Sequence, residues 1–341
     1  MNRRPTTFER ARPGWLAACL GGILLLTACG GGEDAADEPA DDAAEPAEEP
    51  AEEPAEEPAD EPADAGALQG SDVGDGRAIE IGWIPWEEDI AVTNLWQVIL
   101  EENGFEVTQT QTDVGPVFDG VATGELDLFL DAWLPSTHAD YWEQYSDQVE
   151  DLGPWLDEAP LTWVVPEYVQ DINSIEDLQG NADMFGGQII GIEPGSGLAR
   201  ISEEEVMPTY GLEDEYTHVT SSTAAMLAEL EASISAEEPV LVTLWEPHPA
   251  YARFDLKNLE DPENALGDPD EIRNIAREGF GDEFPEAAQA LENMNIDADT
   301  LAGLTVTVLD EADTELDGAR QWLEENVDVV RPWLEGTGLE L

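Results

Sequence analysis

The sequence predicts an α/β protein of two lobes, each built on a mostly parallel sheet flanked by helices. Strand-like and helix-like hydrophobic patterns alternate between residues 78 and 132, and a second alternation follows between residues 161 and 244. The 265 residues from Arg77 to Leu341 are enough for two lobes of ordinary size. Because no disordered linker separates the two alternating segments, we expect lobes that are joined by crossing strands.

The first lobe begins with a predicted strand at residues 78–84, where apolar and polar side chains alternate. Residues 85–89 then form the turn into a helix that stops at Gly104. A second strand is predicted at 105–109, a second helix around 114–123 and a third strand at 126–132. Trp133 therefore follows a strand at its carboxyl end.

The second lobe repeats this alternation. Strands are predicted at 161–166, at 188–192, near His218 and at 240–244, and helices end near Tyr210 and at Ile234. Beyond Lys257 the patterns are mainly helical, and the amphipathic segment 318–333 is expected to pack back onto the first lobe. We expect lobe I to comprise residues 77–163 and 250–341, and lobe II residues 164–249.

The N-terminus has the pattern of an export signal. Four arginines precede an apolar run, residues 15–26, that is too short for an ordinary transmembrane helix. The run ends in Leu26-Thr-Ala-Cys29, which has the form of a lipobox. We expect a signal peptide at residues 1–28 and a lipid on Cys29; an ordinary secreted protein with a spare thiol is the alternative. Because Cys19 leaves with the signal peptide, no disulfide is expected.

Residues 29–76 are predicted to form a disordered tether. Between residues 30 and 70 there are sixteen acidic residues, no basic residue and repeats of Glu-Glu-Pro-Ala. Such a segment cannot bury apolar surface, and its like charges keep the chain extended. Proline and self-repulsion also oppose the compact oxygen cage that calcium requires.

The charge of the predicted lobes is strongly negative. From Arg77 onward there are 60 acidic residues and eight basic ones. This charge opposes binding to nucleic acid or to anionic lipid, and concentrated salt would screen it, so we interpret the surface as haloadapted. The alternative, an acidic patch for a basic partner, would require clustering, whereas the acids run through every segment.

Several aromatic residues lie at predicted strand ends in both lobes. Trp133 and Trp245 directly follow strands, Tyr216 lies at or just before one, and Trp83 and Trp86 flank the end of the first strand. In open α/β sheets ligands bind at the carboxyl ends of the strands, and tryptophan presents the best aromatic face to a cation. Each ring alone is typical of a hydrophobic core, but together they favour a ligand cage between the lobes.

Six segments resemble the glycine betaine-binding lipoproteins of osmoprotectant ABC transporters. They are residues 86–94 (WEEDIAVTN), 131–138 (DAWLPSTH), 149–153 (VEDLG), 191–197 (GIEPGSG), 220–222 (TSS) and 245–248 (WEPH). The resemblance covers nearly all of the chain after Arg77, in the same order. It implies a type II periplasmic-binding-protein-like fold, a presumed monomer, and capture of a betaine outside the cytoplasm for a membrane permease and its ATPase.

The resemblance also implies site residues. In the family three aromatic rings enclose the quaternary ammonium, and the matching positions are Trp133, Tyr216 and Trp245. The family more often has Trp where Tyr216 stands, so Trp83 or Trp86 is the alternative third wall. Family members hold the ligand carboxylate with backbone amides and a histidine, which correspond here to Asp89, Ile90 and His248.

The physical chemistry of a betaine fits this pattern. A trimethylammonium group has no N–H to donate, so aromatic faces bind it at low desolvation cost, and amides at a helix N-terminus bind an anion. The acidic side chains of residues 87–89 oppose an anion site unless they point to water. His248, between two prolines, has a surface or helix-capping role as its alternative.

Other functions have weaker support in the sequence. Choline, carnitine, proline betaine or ectoine are alternative ligands of the same kind of site. A secreted hydrolase would need a nucleophile–base pair, and Gly195-Ser-Gly197 lacks the spacing of a nucleophile elbow or a P-loop. We expect no enzyme activity, no cofactor and no metal site, since three scattered histidines and the absence of a second mature cysteine do not suit a transition metal.

Overall fold

The computed structural model describes Leu68 and residues 70–341, which belong to one compact unit. The predicted signal peptide, Cys29 and nearly all of the tether lie outside the described residues. Within the described part of the chain, no helix combines the length and apolarity that crossing a membrane requires.

Ten strands and twelve α-helices make up the described fold. The strands are β1 (Ala78–Trp83), β2 (Glu106–Gln111), β3 (Leu128–Leu134), β4 (Val149–Ala159), β5 (Leu161–Pro166), β6 (Gln188–Ile190), β7 (Thr217–Val219), β8 (Val242–Trp245), β9 (Leu256–Asn258) and β10 (Asp270–Arg277). The helices are α1 (Glu87–Glu102), α2 (Val114–Thr123), α3 (Ala139–Tyr145), α4 (Gly197–Ile201), α5 (Met207–Tyr210), α6 (Thr223–Ala236), α7 (Ala250–Arg253), α8 (Phe280–Glu283), α9 (Pro285–Asn293), α10 (Ala298–Val306), α11 (Glu315–Glu325) and α12 (Val327–Leu334).

The first sheet has the strand order β2-β1-β3-β10-β4. Strands β1, β2 and β3 pair in parallel, whereas β10 runs antiparallel to β3 and β4. Because β1 and β3 are parallel neighbours, their carboxyl ends meet at one edge. The start of α1 and Trp133 near the end of β3 therefore lie at the same edge of the first sheet.

The second sheet has the order β7-β6-β8-β5-β9. Strand β6 is parallel to β7 and β8, whereas β5 is antiparallel to β8 and β9. Four of the five strands in each sheet run in the same direction, as expected for a mostly parallel sheet, and the one strand that enters from the other half of the fold, β10 or β5, runs against them. Trp245 is the last residue of β8, so the second sheet also carries a tryptophan at a strand's carboxyl end.

The chain crosses between the sheets at two places that differ from the expected residues. Strand β5 belongs to the second sheet from Leu161, before the expected boundary at 163/164. Strand β9 also pairs in the second sheet, and the chain rejoins the first sheet only at β10, well after the expected boundary at 249/250. The apolar pattern alone does not reveal this, because a crossing strand and a strand within a lobe have the same alternation.

Buried side chains form two hydrophobic clusters. The larger one fills the first lobe and continues across the cleft to Ile192, Leu198 and Trp245 of the second lobe. The smaller one lies within the second lobe around Trp163 and includes Tyr216. Since the larger cluster is shared by both sheets, the lobes are closed against each other.

Candidate functional site

A cavity lies between the two lobes where tryptophans from both sides meet. It has an empty volume of ≈ 270 Å³, which includes the part open to solvent. The lining residues are Trp86, Glu88, Trp133, Thr137, Leu161, Ile192, Ser196, Gly197, Leu198 and Trp245. Three indoles therefore surround one space, with contributions from the start of α1, the end of β3 and the end of β8.

Trp133 is fixed by the turn that follows β3. Its indole Nε1 donates a hydrogen bond to Asp131 Oδ1 at 3.0 Å, and its backbone N–H donates to His138 Nδ1 at 3.0 Å. The amide of His138 donates in return to the carbonyl of Trp133 at 2.9 Å. These bonds hold the ring at the cavity wall with only 3% of its surface exposed.

Trp86, immediately before α1, is held from both lobes. Its ring stacks on His138 with a centroid distance of 5.8 Å and an interplanar angle of 17°. Its Nε1 donates to Glu193 Oε2 at 3.2 Å, and Glu193 also accepts hydrogen bonds from the backbone N–H and hydroxyl of Thr223. One indole of the first lobe is thereby tied to the start of α6 in the second.

Trp245 closes the third side of the cavity. Its ring lies 6.2 Å from Trp86 at an interplanar angle of 58°, and the His248 ring meets it edge-on at 4.7 Å. The indole Nε1–H of Trp245 is buried and has no hydrogen-bond partner among the described residues.

Further polar atoms around the cavity are also unpartnered. Both carboxyl oxygens of Glu88 and the hydroxyl of Thr137 are buried without a hydrogen-bond partner in the described part of the chain. Burying such atoms unpaired costs about 1–3 kcal/mol each, and more for a charged group. The cavity therefore suits a ligand with an apolar cationic end and a polar end.

Glu88 lines the cavity, and two further buried acids, Asp89 and Asp131, lie close to it. Burial raises the pKa of Asp89 to about 7, although hydrogen bonds from the Ile84 amide and the Thr93 hydroxyl lower it. Burial raises the pKa of Glu88 and of Asp131 well above the usual range of a carboxyl group. Glu88 and Asp89 do not point to water, since they are only 2% and 0% exposed.

His138 is the buried platform under Trp86. Burial lowers its pKa to about 3, and the positive charge of Arg200 lowers it further. The ring is neutral at ordinary pH, so it offers an aromatic face to the indole without repelling a cation in the cavity.

The structure does not bring Tyr216 to this cavity. The Tyr216 side chain is buried in the smaller cluster of the second lobe, and its hydroxyl donates to the carbonyl of Leu178 at 2.9 Å. Trp83, the other candidate, is half-buried at the end of β1 and is not among the lining residues. Trp86 occupies the third wall instead.

The structure places the three residues expected to bind the ligand carboxylate, Asp89, Ile90 and His248, in different ways. The amide of Ile90 already donates to the Trp86 carbonyl at 2.9 Å, and the Asp89 side chain turns inward. His248 accepts at Nδ1 from the Ala250 amide, so its Nε2 carries the proton toward Glu87 Oε2 at 3.2 Å. Of these three residues, His248 meets an indole ring of the cavity, that of Trp245, with its own ring.

Sequence reasoning missed the lining from residues 196–198. Residues 191–197 resemble the family and Gly195-Ser-Gly197 lacks the spacing of an enzyme motif, but neither observation predicts that a Cβ at Gly197 would lie 1.9 Å from the carbonyl oxygen of Thr137. That approach joins the two lobes, as do the hydrogen bonds from Tyr141 Oη to the Gly195 carbonyl at 2.8 Å and from Arg200 to the Ser136 carbonyl at 3.0 Å. The glycine itself was the available signal, since a residue without Cβ permits such contact.

Comparison with known families gives a match over most of the chain. The model of the substrate-binding domain of ABC-type glycine betaine transport systems matches residues 77–325. Among curated proteins, the glycine betaine/carnitine transport binding protein GbuC of Listeria monocytogenes serotype 1/2a is 34% identical over 148 residues, 43% of this chain and 49% of that protein. The alignment thus spans about half the length of that relative.

Two solved structures are similar over the lobes. The glycine betaine/L-proline-binding protein ProX from Borrelia burgdorferi superposes with a TM-score of 0.73 and 30% identity, covering 77% of this chain and 98% of that one. Lactococcal OpuAC, in its closed-liganded conformation with glycine betaine, superposes with a TM-score of 0.71 and 31% identity, covering 76% of this chain and 100% of that one.

Proposed function

The chain belongs to the family of substrate-binding domains of ABC-type glycine betaine transport systems, and from that premise we propose that it captures glycine betaine, or a related quaternary-ammonium osmoprotectant, outside the cytoplasm and delivers it to a membrane permease. This is a transport family and not an enzyme family. The observation that carries the proposal is the cavity with three tryptophan walls and unpartnered polar atoms.

The quaternary ammonium group binds between Trp86, Trp133 and Trp245 in this proposal. Each indole face contributes about 0.5–2 kcal/mol to binding a cation, and the buried position of all three rings favours the upper part of that range. Trp86 replaces Tyr216 in the cage, because Tyr216 lies in a separate hydrophobic cluster.

The ligand carboxylate binds toward the start of α1. The unpartnered side-chain donors there are Trp245 Nε1 and the Thr137 hydroxyl. The amide of Asp89 lies in the first turn of α1, and His248 Nε2 turns from Glu87 Oε2 to the ligand in this proposal. The first amides of a helix have no intrahelical partner, and no side-chain cap covers the start of α1. The Ile90 amide remains a proposed contact only if ligand binding releases it from Trp86.

Closure of the lobes couples binding to recognition by the permease. The cavity exists only where residues of both lobes meet, so ligand contacts with both walls select the closed form. The permease and ATPase are the partners that this family membership supports. We further propose that a lipid on Cys29 and the acidic tether hold the lobes near the extracytoplasmic face of the cell membrane.

Calorimetry with a panel of compatible solutes in molar salt tests this function. Glycine betaine should bind much better than glycine, whose ammonium is strongly hydrated, and better than choline, which lacks the carboxylate. Carnitine, proline betaine and ectoine in the same panel rank the alternative ligands. No heat of binding for any quaternary ammonium compound would contradict the proposal, and equal binding of choline and glycine betaine would remove the carboxylate contacts from it.

A further inference from the structure

Glu88 lines the cavity, and the proposed cation cage of three tryptophans gives it no role. It is the second residue of α1, it is 2% exposed, and it lines the cavity together with Trp133 and Trp245. Neither of its carboxyl oxygens has a hydrogen-bond partner among the described residues. The Trp245 N–H lies close enough to lower the pKa of Glu88, but it does not reach hydrogen-bond geometry.

An unpartnered carboxyl group in a closed cavity requires either a proton or a ligand group. The cost of leaving an ionised carboxylate buried without a partner is several kcal/mol, so the group holds a proton unless a bound donor or cation compensates its charge. A ligand that fills the cavity therefore decides which form of Glu88 is favoured.

The charges that face Glu88 from the surrounding elements are mostly negative. On its own helix these are Glu87 and Asp89, and on β3 it is Asp131. The carboxylate of Glu193, across the cleft, is bonded to Trp86. Burial raises the pKa of Glu88 most, and the charges of Glu87 and Asp89 raise it further. The basic residues nearby do not compensate these negative charges.

Those bases are each engaged elsewhere. His138 is neutral because burial lowers its pKa to about 3, and His248 is directed at Glu87. Arg200 pairs with Asp140 at 3.4 Å and with the Ser136 carbonyl. No described cation forms a hydrogen bond or ion pair with the Glu88 carboxyl group.

Resting on the proposed function, we propose that Glu88 sets the preference between zwitterionic and cationic quaternary ammonium ligands. As a carboxylic acid it donates a hydrogen bond to the carboxylate of a betaine. As a carboxylate it accepts a hydrogen bond from the hydroxyl of a cationic alcohol such as choline. Both ligands present the same trimethylammonium group to the cage, so the difference between them reports on the Glu88 end of the cavity.

The binding affinities of the two ligands then change with pH in opposite directions. A betaine raises the pKa of Glu88 in the complex, so its affinity is highest at low pH and is lost as pH rises through the pKa of the free protein. Choline lowers the pKa of Glu88 in the complex, so its affinity is highest at high pH and falls as pH drops. Betaine binding takes up protons and choline binding releases them.

The experiment is calorimetric titration of the purified protein with glycine betaine and with choline between about pH 5 and about pH 9, in paired buffers of different ionisation enthalpy. The expected result is proton uptake with betaine, proton release with choline, and a betaine-to-choline affinity ratio that falls by at least about tenfold with rising pH. The wild-type series requires no variant, so a misfolded variant does not prevent the test.

Glu88→Gln provides the matched variant, because an amide donates a hydrogen bond but cannot ionise. It should keep betaine affinity at the low-pH level across the range and weaken choline at high pH by at least about tenfold. Glu125→Gln is the control, since Glu125 is an exposed acid of the same lobe and its loss removes the same charge. The control should retain the wild-type pH profile.

The outcomes separate this inference from the proposed function. If neither ligand binds at any pH, the proposed function fails. If glycine betaine binds with an affinity that does not change with pH, or that changes equally in wild type and Glu88→Gln, the function stands and the role of Glu88 is overturned. If the affinity changes equally in wild type and Glu88→Gln, Asp89 or Asp131 carries the pH dependence. A choline affinity that rises as pH falls also overturns it.

Discussion

Trp86 and Tyr216 show what residue-level reasoning could and could not locate. The positions of Trp133 and Trp245 at strand ends follow from the hydrophobic pattern, whereas their assignment to the proposed cage comes from the resemblance to the family. Which third ring completes the cage depends on how the lobes dock, and no local pattern encodes that. Both Trp86 and Tyr216 lie near strand ends in sequence, but only Trp86 is at the edge that faces the other lobe.

Alanine substitutions separate these two rings. Trp86→Ala should weaken glycine betaine binding by about 1–2 kcal/mol, or about five- to thirtyfold, because it removes one face of the cage. Tyr216→Ala should lower the free energy of unfolding by about 3 kcal/mol and leave betaine affinity nearly unchanged, because it opens a void in the second lobe. Calorimetry and thermal unfolding of the same samples check both. Loss of affinity in Tyr216→Ala without loss of stability would return Tyr216 to the cage.

The buried Asp89 carboxyl gives a pH signature of folding. Its pKa of about 7 in the folded protein lies above its value of about 3.9 in the unfolded chain. The stabilisation from Asp89 is therefore fully present below about pH 4 and is lost as pH rises through about 7. Asp89→Asn should remove this contribution while keeping an acceptor for the Ile84 amide.

The measurement for Asp89 is the difference in unfolding free energy between wild type and Asp89→Asn. This difference should fall with rising pH between about 4 and 7, by at most about 1.4 kcal/mol per pH unit. The contribution of His138 to the unfolding free energy rises with pH in this window, because its pKa in the folded protein is about 3. It is present in both proteins, so it cancels in the difference. A difference that is constant with pH would show that Asp89 is ionised in the folded state.

At the scale of elements, the order of strands and helices was predictable, but sheet membership was less so. The alternation through β1, α1, β2, α2 and β3 is visible in the hydrophobic pattern, and the two-lobed fold is confirmed by the solved relatives. The antiparallel strands β5 and β10 have the same alternation as parallel ones. The direction of β5 and β10 depends on where the chain passes from one sheet to the other, and the alternation does not reveal that point. The lobe boundaries therefore remain a proposal.

The start of α4 approaches the first lobe very closely. At Gly197 a Cβ would clash with the Thr137 carbonyl oxygen of the first lobe at 1.9 Å, and that backbone atom cannot rotate away. Gly197→Ala should therefore hinder the closed form and weaken betaine binding by more than about tenfold, with little change in the stability of the open protein.

A second glycine provides the control for α4. Gly303 lies within α10, where an added Cβ meets nothing within 4 Å. Gly303→Ala should leave binding unchanged and stabilise the fold by about 1 kcal/mol through helix propensity. If Gly197→Ala binds betaine as tightly as wild type does, the close approach at α4 is not required for ligand capture.

For the whole molecule, charge is the dominant feature. All seven arginines of the described part of the chain pair with a carboxylate, at Glu286, Asp140, Asp310, Asp151, Asp127, Glu102 and Asp328 among others. From Arg77 onward the chain has 60 acidic residues, so most of them have no basic partner. The mutual repulsion of these acids opposes folding in dilute buffer.

The unfolding temperature should therefore rise steeply between low and molar potassium chloride. Salt shortens the screening length from about 30 Å at 0.01 M to about 3 Å at 1 M and so removes most of the repulsion. Thermal unfolding across this range measures the effect. A flat profile would contradict the interpretation of the surface as haloadapted. Betaine binding should persist in molar salt, because the closed cavity shields the cage from ions.

The cage itself is tested most directly by replacing the ligand's charge without changing its shape. The anion 3,3-dimethylbutanoate has the form of glycine betaine, with a neutral carbon in place of the quaternary nitrogen. Calorimetric titration of both compounds under the same conditions compares them. If three indoles bind the cation, glycine betaine should bind more than about tenfold tighter than its carbon analogue. Equal affinities would contradict the account, since the cavity would then be recognising only an apolar shape.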